Sequence, residues 1–369
     1  MIDMNKKSKS TVIKTFNLAV YHHKKKNFKI AENLYIKTLK FDPNFVNAHY
    51  NLGIVLQELG EYKRAIKSYE KTIQIDPKFT DAHNNLGIVF DLLGKTTKAK
   101  NFYKKAIEIQ PNYINAYWNL HSLSSNIDEA IDILEKSLRF KKNFFEAKIM
   151  IGVLNGFKGN LDYFNSLNYS PISNNPMFRS AKWIFSLPKL PKIFFNRWDL
   201  FNDNITFADK TRPFYEFGVW KGISFKYFLN IFKKGFGFDT FTGIPEDWYN
   251  NKVGTYSAFG KIPKLKGGKF IVGKFEDTLP KFFSKKRPLA SIINFDADLY
   301  SSTLCALNYS NKIIDKETIL FFDEFITSTY WENDEYKALN EFCDNFNYKY
   351  EVIAVSLYSK QVAVKLISK

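Results

Sequence analysis

Long apolar runs are missing from this chain. None of its 369 residues belongs to a stretch approaching the roughly 18 apolar residues needed to cross a bilayer. Residues 1–10 are basic, but 11–20 are too polar for a signal h-region, so nothing suggests export. Cysteine is nearly absent. Cys305 and Cys343 have neither CxxC nor zinc spacing, which points to a reducing cytoplasmic setting with inert thiols. There are only five histidines, and His22, His23, His49 and His83 lie on helix positions of a repeat array where packing or surface roles are expected.

Negative charge is also scarce. Fifty-four Lys and Arg against 37 Asp and Glu leave a formal net charge of +17. Such a balance suits a nucleic acid, an acidic glycan or an anionic membrane. It equally suits lysines spread over solvated faces of a chain rich in Lys, Asn, Ile and Phe. Over the whole chain, aromatics and basics do not interleave as in a single-strand binder, which favours the second reading and no specific nucleic acid. Hydrophobic content of 45% supports a full core, and the length supports two domains.

Asp42-Pro43, Asp76-Pro77 and Gln110-Pro111 recur at a spacing of 34. So do Asn51/Leu52, Asn85/Leu86 and Asn119/Leu120, with Ala31, Ala65 and Ala99 and Tyr35, Tyr69 and Tyr103 in step. Alanine is expected where two helices approach closely, and proline where the second helix stops. The pattern resembles the tetratricopeptide repeat (TPR) and covers 11–158. In the fourth unit Ala130 follows Ala99 by 31, so a shortened turn between its helices is expected near 124–126. The fifth, from Asn143, reads as a degenerate cap. Such an array offers a concave groove for a peptide or partner protein, or else only dimerises or spaces the enzyme; the residues leave both open.

The 34-residue period breaks after residue 158. Residues 159–212 carry Pro171, Pro176, Pro188 and Pro191 among many aromatics, and read as a connector packed under or beside a second domain. From 213 to 369, apolar strand-like runs alternate with helix-length segments: 214–219, 235–241, 269–275, 290–295, 318–322, 351–355 and 361–366. Seven strands with helices between the first five predict a doubly wound, Rossmann-like α/β sheet ending in a hairpin. An antiparallel final pair on a parallel sheet is what class I S-adenosylmethionine-dependent methyltransferases show. The predicted fold is thus α plus α/β, a helical solenoid followed by a methyltransferase-type sheet.

Four of the runs end in glycines or acids. Glu216-x-Gly218-x-x-x-Gly222 closes the first strand and opens a helix at Ile223-Ser224, where glycines let backbone approach a ligand. Asp239 ends the next strand, where an acid holds ribose hydroxyls. The middle glycine of the usual methyltransferase loop is Trp220 here, which tells against a tight dinucleotide turn. Asp296 and Asp298 flank Ala297 at one strand end, and Asp323 and Glu324 end another. Four carboxylates at adjacent strand tips repel unless a cation is present, and all-oxygen ligation suits Mg²⁺, with Mn²⁺ or Ca²⁺ as alternatives. The competing reading makes some of them helix N-caps. The residues 242–268 are long for a connection and read as a lid or substrate loop, or as a plain packed excursion.

Together these motifs, with Gly237-Phe-Asp-Thr-Phe-Thr-Gly-Ile-Pro-Glu-Asp-Trp248, Gly273-Lys-Phe-Glu-Asp-Thr-Leu-Pro280 and Asp296-Ala-Asp-Leu-Tyr-Ser-Ser-Thr303, resemble the macrocin O-methyltransferase (TylF-type) family over 196–366. The resemblance implies methylation of a sugar hydroxyl using S-adenosylmethionine and Mg²⁺. It implies Asp296, Asp323 and Glu324 as metal ligands, Asp298 as base, and Glu216, Gly218, Gly222, Ser224 and Asp239 at the cofactor. The expected acceptor is a sugar-containing small molecule or glycan precursor. Family members commonly lack a repeat array, so acceptor, partner and any homo-oligomer are not inherited. Two other functions compete: a nucleotide-sugar glycosyltransferase using Asp-Ala-Asp, and a non-catalytic scaffold. A nucleic-acid base methyltransferase is disfavoured because the chain has no Pro-Pro.

Overall fold

The computed structural model describes residues 2–368 and divides into two compact units, 1–143 and 144–369. The first is helical: α1 (Ile2–Lys24), α2 (Phe28–Phe41), α3 (Val46–Glu58), α4 (Tyr62–Ile75), α5 (Thr80–Leu92), α6 (Thr96–Ile109), α7 (Ile114–His121) and α8 (Ile127–Phe140). The recurrent alanines and tyrosines are fully buried. A Cβ on Gly53 or Gly87 would come within 2.5 or 2.4 Å of the Tyr69 or Tyr103 ring, so glycine makes room for the tyrosine one helix away.

One hydrogen bond repeats with the sequence. His49 Nε2 donates to the Pro43 carbonyl at 2.8 Å, His83 Nε2 to Pro77 at 3.0 Å, and Tyr117 Oη to Pro111 at 2.9 Å. Each bond ties a helix to the turn that starts it, which gives His49 and His83 the packing role expected of them. The fourth unit differs from expectation. Its first helix, α7, has 8 residues where α3 and α5 have 13, and the following turn is not shortened. Asn126 caps α8 by accepting from Glu129 N at 2.8 Å, while Glu129 accepts from Ser125 N at 2.8 Å; this reciprocal cap starts the helix early.

The second unit begins with α9 (Phe145–Phe157), which the sequence assigned to the array. Its own neighbours explain the difference: Gly152 lies against Phe164 and Gly156 against Phe185, so the helix packs on the connector. There follow α10 (Asp162–Ser166), α11 (Pro176–Ser186), β1 (Lys192–Ile193) and α12 (Arg197–Ile205). The connector packs on the segment that follows the strand Ile319–Phe322: Arg179 pairs with Glu332 at 2.8 Å, and the Trp183 ring meets Phe325, Trp331 and Tyr336.

Seven further strands complete a mixed sheet: β2 (Phe214–Phe217), β3 (Gly235–Asp239), β4 (Gly268–Val272), β5 (Ile292–Phe295), β6 (Ile319–Phe322), β7 (Tyr348–Val355) and β8 (Val362–Ser368). The order is β1-β7-β8-β6-β5-β2-β3-β4. Only β8 runs antiparallel, between β6 and β7. The short β1, parallel to β7, was not expected. On one face Phe214 packs on Phe225 and Phe228 of α13 (Ile223–Phe232), and Phe201 of α12 packs on Phe321. On the other, Phe217 and Phe236 meet Phe275 and Phe282 of α14 (Phe275–Phe282). Two more helices, α15 (Tyr300–Ser310) and α16 (Glu335–Phe346), follow β5 and β6.

Candidate functional site

The strand order reverses at β2. The chain goes from β2 outward through β3 and β4, then returns to place β5 on the other side of β2. A crevice opens at such a point, outside the carboxyl ends of the strands. Here the strands end level. Phe217 pairs with Phe238 and Phe295, and Phe295 with Phe322. These four rings stack in one row, with centroids 4.7, 5.5 and 4.9 Å apart and planes within 16° of parallel. The next residue on each strand is Gly218, Asp239, Asp296 or Asp323. An aromatic floor therefore sets four of the predicted site residues side by side.

Gly218 is required by space and by backbone. Its φ is +89°, and a Cβ would stand 1.7 Å from the Asp296 carbonyl oxygen. Two residues on, the turn is held from β3. Asp239 Oδ2 accepts from Val219 N at 2.8 Å and Trp220 N at 2.6 Å, and Oδ1 from Phe241 N at 2.6 Å. The first two bonds hold the turn in which Trp220 takes a left-handed backbone. Glu216 and Ser224 meet directly: Ser224 Oγ donates to Glu216 Oε1 at 3.0 Å. Glu216 is fully buried and its Oε2 has no hydrogen-bond partner, so burial pushes its carboxyl well above the usual range. Gly222, with φ +73°, lies against Pro263 at the start of α13.

The acids on the β5 and β6 side feel one another. Burial, then Asp323 and Asp298, hold Asp296 well above the carboxylate range. Burial, then Glu324 and Asp323, do the same to Asp298. Burial raises Glu324, while Lys360 works the other way. Asp298 is not on the strand. β5 stops at Phe295 and Asp298 adopts φ +61°, so strand alternation is not what brings it beside Asp296. The N-cap alternative also fails: Leu299 precedes α15 with no side-chain cap, and no helix starts directly after Asp323-Glu324.

Five residues at this site were not anticipated. Lys360, in the turn between β7 and β8, binds Glu324 Oε2 at 2.8 Å and Oε1 at 3.0 Å. Arg197, opening α12, lies 3.3 Å from Asp323, and Gln361 Nε2 donates to Asp323 Oδ1. Glu335, fully buried, accepts from Glu324 N at 3.2 Å. Asp334 accepts from Trp248 Nε1 and Tyr249 Oη at 3.3 and 3.0 Å. Nothing local in the sequence marks them, because they reach the site from three separate places: the start of α12, the start of α16 and the turn before β8. The donors are all oxygen, and buried Asp334 Oδ2 and Glu335 Oε1 have no hydrogen-bond partner, which is the chemistry of a hard-cation site. The spacing is not yet that of a metal shell. Among the described residues no three His, Cys, Asp or Glu side chains gather at ligand distances, and two of the three expected ligands carry Lys360 and Arg197.

Against known families, the chain matches the tetratricopeptide repeat at residues 46–79 and 80–113. No protein of curated function matches it in sequence. Among solved structures it is similar to the MamA protein, at 26% identity over 49% of this chain and 98% of that one, with a TM-score of 0.39. YrrB, described as a TPR protein with an unusual peptide-binding site, is 21% identical over 50% of this chain and 97% of that one, with a TM-score of 0.41. No helix among the described residues is long and apolar enough to cross a membrane.

Proposed function

We propose that the second unit is an S-adenosylmethionine- and Mg²⁺-dependent O-methyltransferase acting on a hydroxyl of a sugar or glycan precursor, and that the TPR array binds a peptide or protein partner. The observation that carries the enzymatic reading is the row of Gly218, Asp239, Asp296 and Asp323 at the switch point of the sheet. The antiparallel β8, inserted between β6 and β7, supports it, being the feature that separates class I methyltransferases from all-parallel dinucleotide domains. The repeat match supports the second part.

Bound S-adenosylmethionine would supply the methyl group, and Mg²⁺ the charge that lowers a hydroxyl pKa. Gly218 and Gly222 give the loop its left-handed turns and close approach to Asp296 and Pro263, and the Glu216–Ser224 pair lines the start of α13. Three of the four lone-pair sites of Asp239 already accept from backbone, two from the 219–220 turn and one from Phe241, which leaves one for a ribose hydroxyl. Asp296, Asp323 and Glu324 would hold the metal. Asp298 takes the proton from the acceptor hydroxyl; burial and the neighbouring Glu324 and Asp323 raise its affinity for protons.

Thermal-shift titrations with S-adenosylmethionine and with nucleotide sugars, each with and without Mg²⁺, test the class. Stabilisation by a nucleotide sugar alone overturns it in favour of glycosyl transfer. Methyl transfer across a Mg²⁺ titration then tests the roles. Asp296→Asn should be rescued in part by high metal, whereas Asp298→Asn should cut turnover by roughly 10²–10⁴-fold at every metal concentration.

A further inference from the structure

The lysines are not evenly spread, and in the second unit one stretch without acids carries six of them. From Trp248 to Phe275 there is no Asp or Glu, and six lysines occur: Lys252, Lys261, Lys264, Lys266, Lys269 and Lys274. All six are exposed. Between them the same stretch turns Tyr249, Val253, Tyr256, Phe259 and Ile262 to solvent, each 45–62% exposed.

This is a built surface. Ile244 N bonds the Thr255 carbonyl and Gly254 N the Ile244 carbonyl, both at 2.9 Å, and Gly260 N bonds Phe241 at 2.8 Å. Phe241, Ile244 and Ala258 anchor the loop by burial. Three of the exposed aromatics hold positive φ: Tyr249 at 50°, Tyr256 at 60° and Phe259 at 54°. Bulky residues rarely enter that region, at a cost of order 1–3 kcal/mol each. Tyr249 has an internal reason, since its hydroxyl donates to Asp334 and its ring stacks on Tyr330 at 4.5 Å, but Tyr256 and Phe259 hold the same conformation half in water.

We propose that residues 248–275 dock the protein on an anionic lipid surface. Basic side chains gain from the negative potential of anionic headgroups, while aromatic and aliphatic tips enter the headgroup boundary. Charge argues against a second copy of the chain, since lysines would face lysines; Asp247 and Glu276 offset only Lys252 and Lys274, at 2.6 and 3.7 Å. Val253 and Ile262 have no π-face to stack a base, which argues against single-stranded nucleic acid. The inference does not depend on the methyltransferase reading, although Trp248 and Tyr249, through Asp334, tie this surface to the acidic crevice.

The test is sedimentation of the full chain with neutral phosphatidylcholine vesicles and with vesicles carrying about 30 mol% phosphatidylglycerol, at about 0.1 M salt. The chain should partition to the anionic vesicles. Because the whole chain is basic, the control is a charge-matched pair elsewhere. Lys264→Glu with Lys266→Glu should cut partitioning at least about tenfold, and Lys285→Glu with Lys286→Glu, an equal change of charge, less than about twofold. Phe259→Ser with Val253→Ser should weaken what binding survives at high salt. No preference for anionic vesicles, equal losses in the two lysine pairs, or binding to oligo-dT with none to vesicles would each overturn the proposal.

Discussion

The closest approach in the candidate site is at Gly218, and it gives a measurable contrast. An alanine there pays twice. The left-handed backbone costs an L-residue about 1–2 kcal/mol. The new methyl, 1.7 Å from the Asp296 carbonyl oxygen and 2.5 Å from its carbon, meets backbone rather than a side chain that can swing away. Overpacking of this kind costs about 1–3 kcal/mol more, and a stiffer unfolded chain returns about 0.4–1. The net loss is about 2–4 kcal/mol. Gly260 supplies the reference, with φ +69° and nothing within 4 Å of the added Cβ, so Gly260→Ala bears the backbone term alone. Five of the six tryptophans lie beyond residue 143, so indole fluorescence reports chiefly on the second unit. At roughly 2–4 °C per kcal/mol, Gly218→Ala should lower its melting midpoint by roughly 5–15 °C and Gly260→Ala by about 5 °C or less. Equal losses would show that β2 and β5 do not meet as described.

Two further expectations concern the frame around the site. Glu216→Gln keeps an acceptor for Ser224 and removes a buried acid whose folded pKa is raised. Such an acid costs nothing below its unfolded value near 4.5, and stability falls as pH climbs from there toward the folded pKa. The variant's advantage in urea midpoint should therefore grow from pH 5 to pH 8, and a constant difference would refute the assignment. Arg179→Ala removes a forked contact to Glu332 and bonds to the Asn174 and Thr329 carbonyls; at a third exposed it should cost the second unit about 1–2 kcal/mol in urea unfolding.

The repeats were legible because each unit solves one packing problem with the same residues, so Ala65 and Tyr69 recur as Ala99 and Tyr103. The strand tips were legible because glycine and aspartate end apolar runs for reasons visible locally. What escaped is non-local or short. Two residues of β1 carry no alternation, and the helix Phe145–Phe157 keeps repeat-like composition while packing on Phe164 and Phe185. Reading Asp296 and Asp298 as strand neighbours failed at a single left-handed residue, a conformation aspartate adopts more readily than most. Glu335, Arg197 and Lys360 come from three separate elements, and only the folded chain brings them to the tips of β5 and β6.

Lys360 is the sharpest consequence of that convergence. It is the cation nearest Glu324, and its charge also lowers the proton affinity of Asp298. A metal at Asp296, Asp323 and Glu324 would have to displace it, so the lysine and the cation compete for one carboxylate. With side chains 40% and 21% exposed, the pair is worth up to about 1 kcal/mol. Lys360→Met keeps the length of the chain and removes the competitor, while repulsion among Asp298, Asp323 and Glu324 stays for a cation to relieve. Mg²⁺ should then bind up to about fivefold more tightly by calorimetry. If Lys360 instead orients Glu324 for the metal, the same substitution would weaken binding and refute the competition, whereas an unchanged affinity would remove Glu324 from the proposed ligand set.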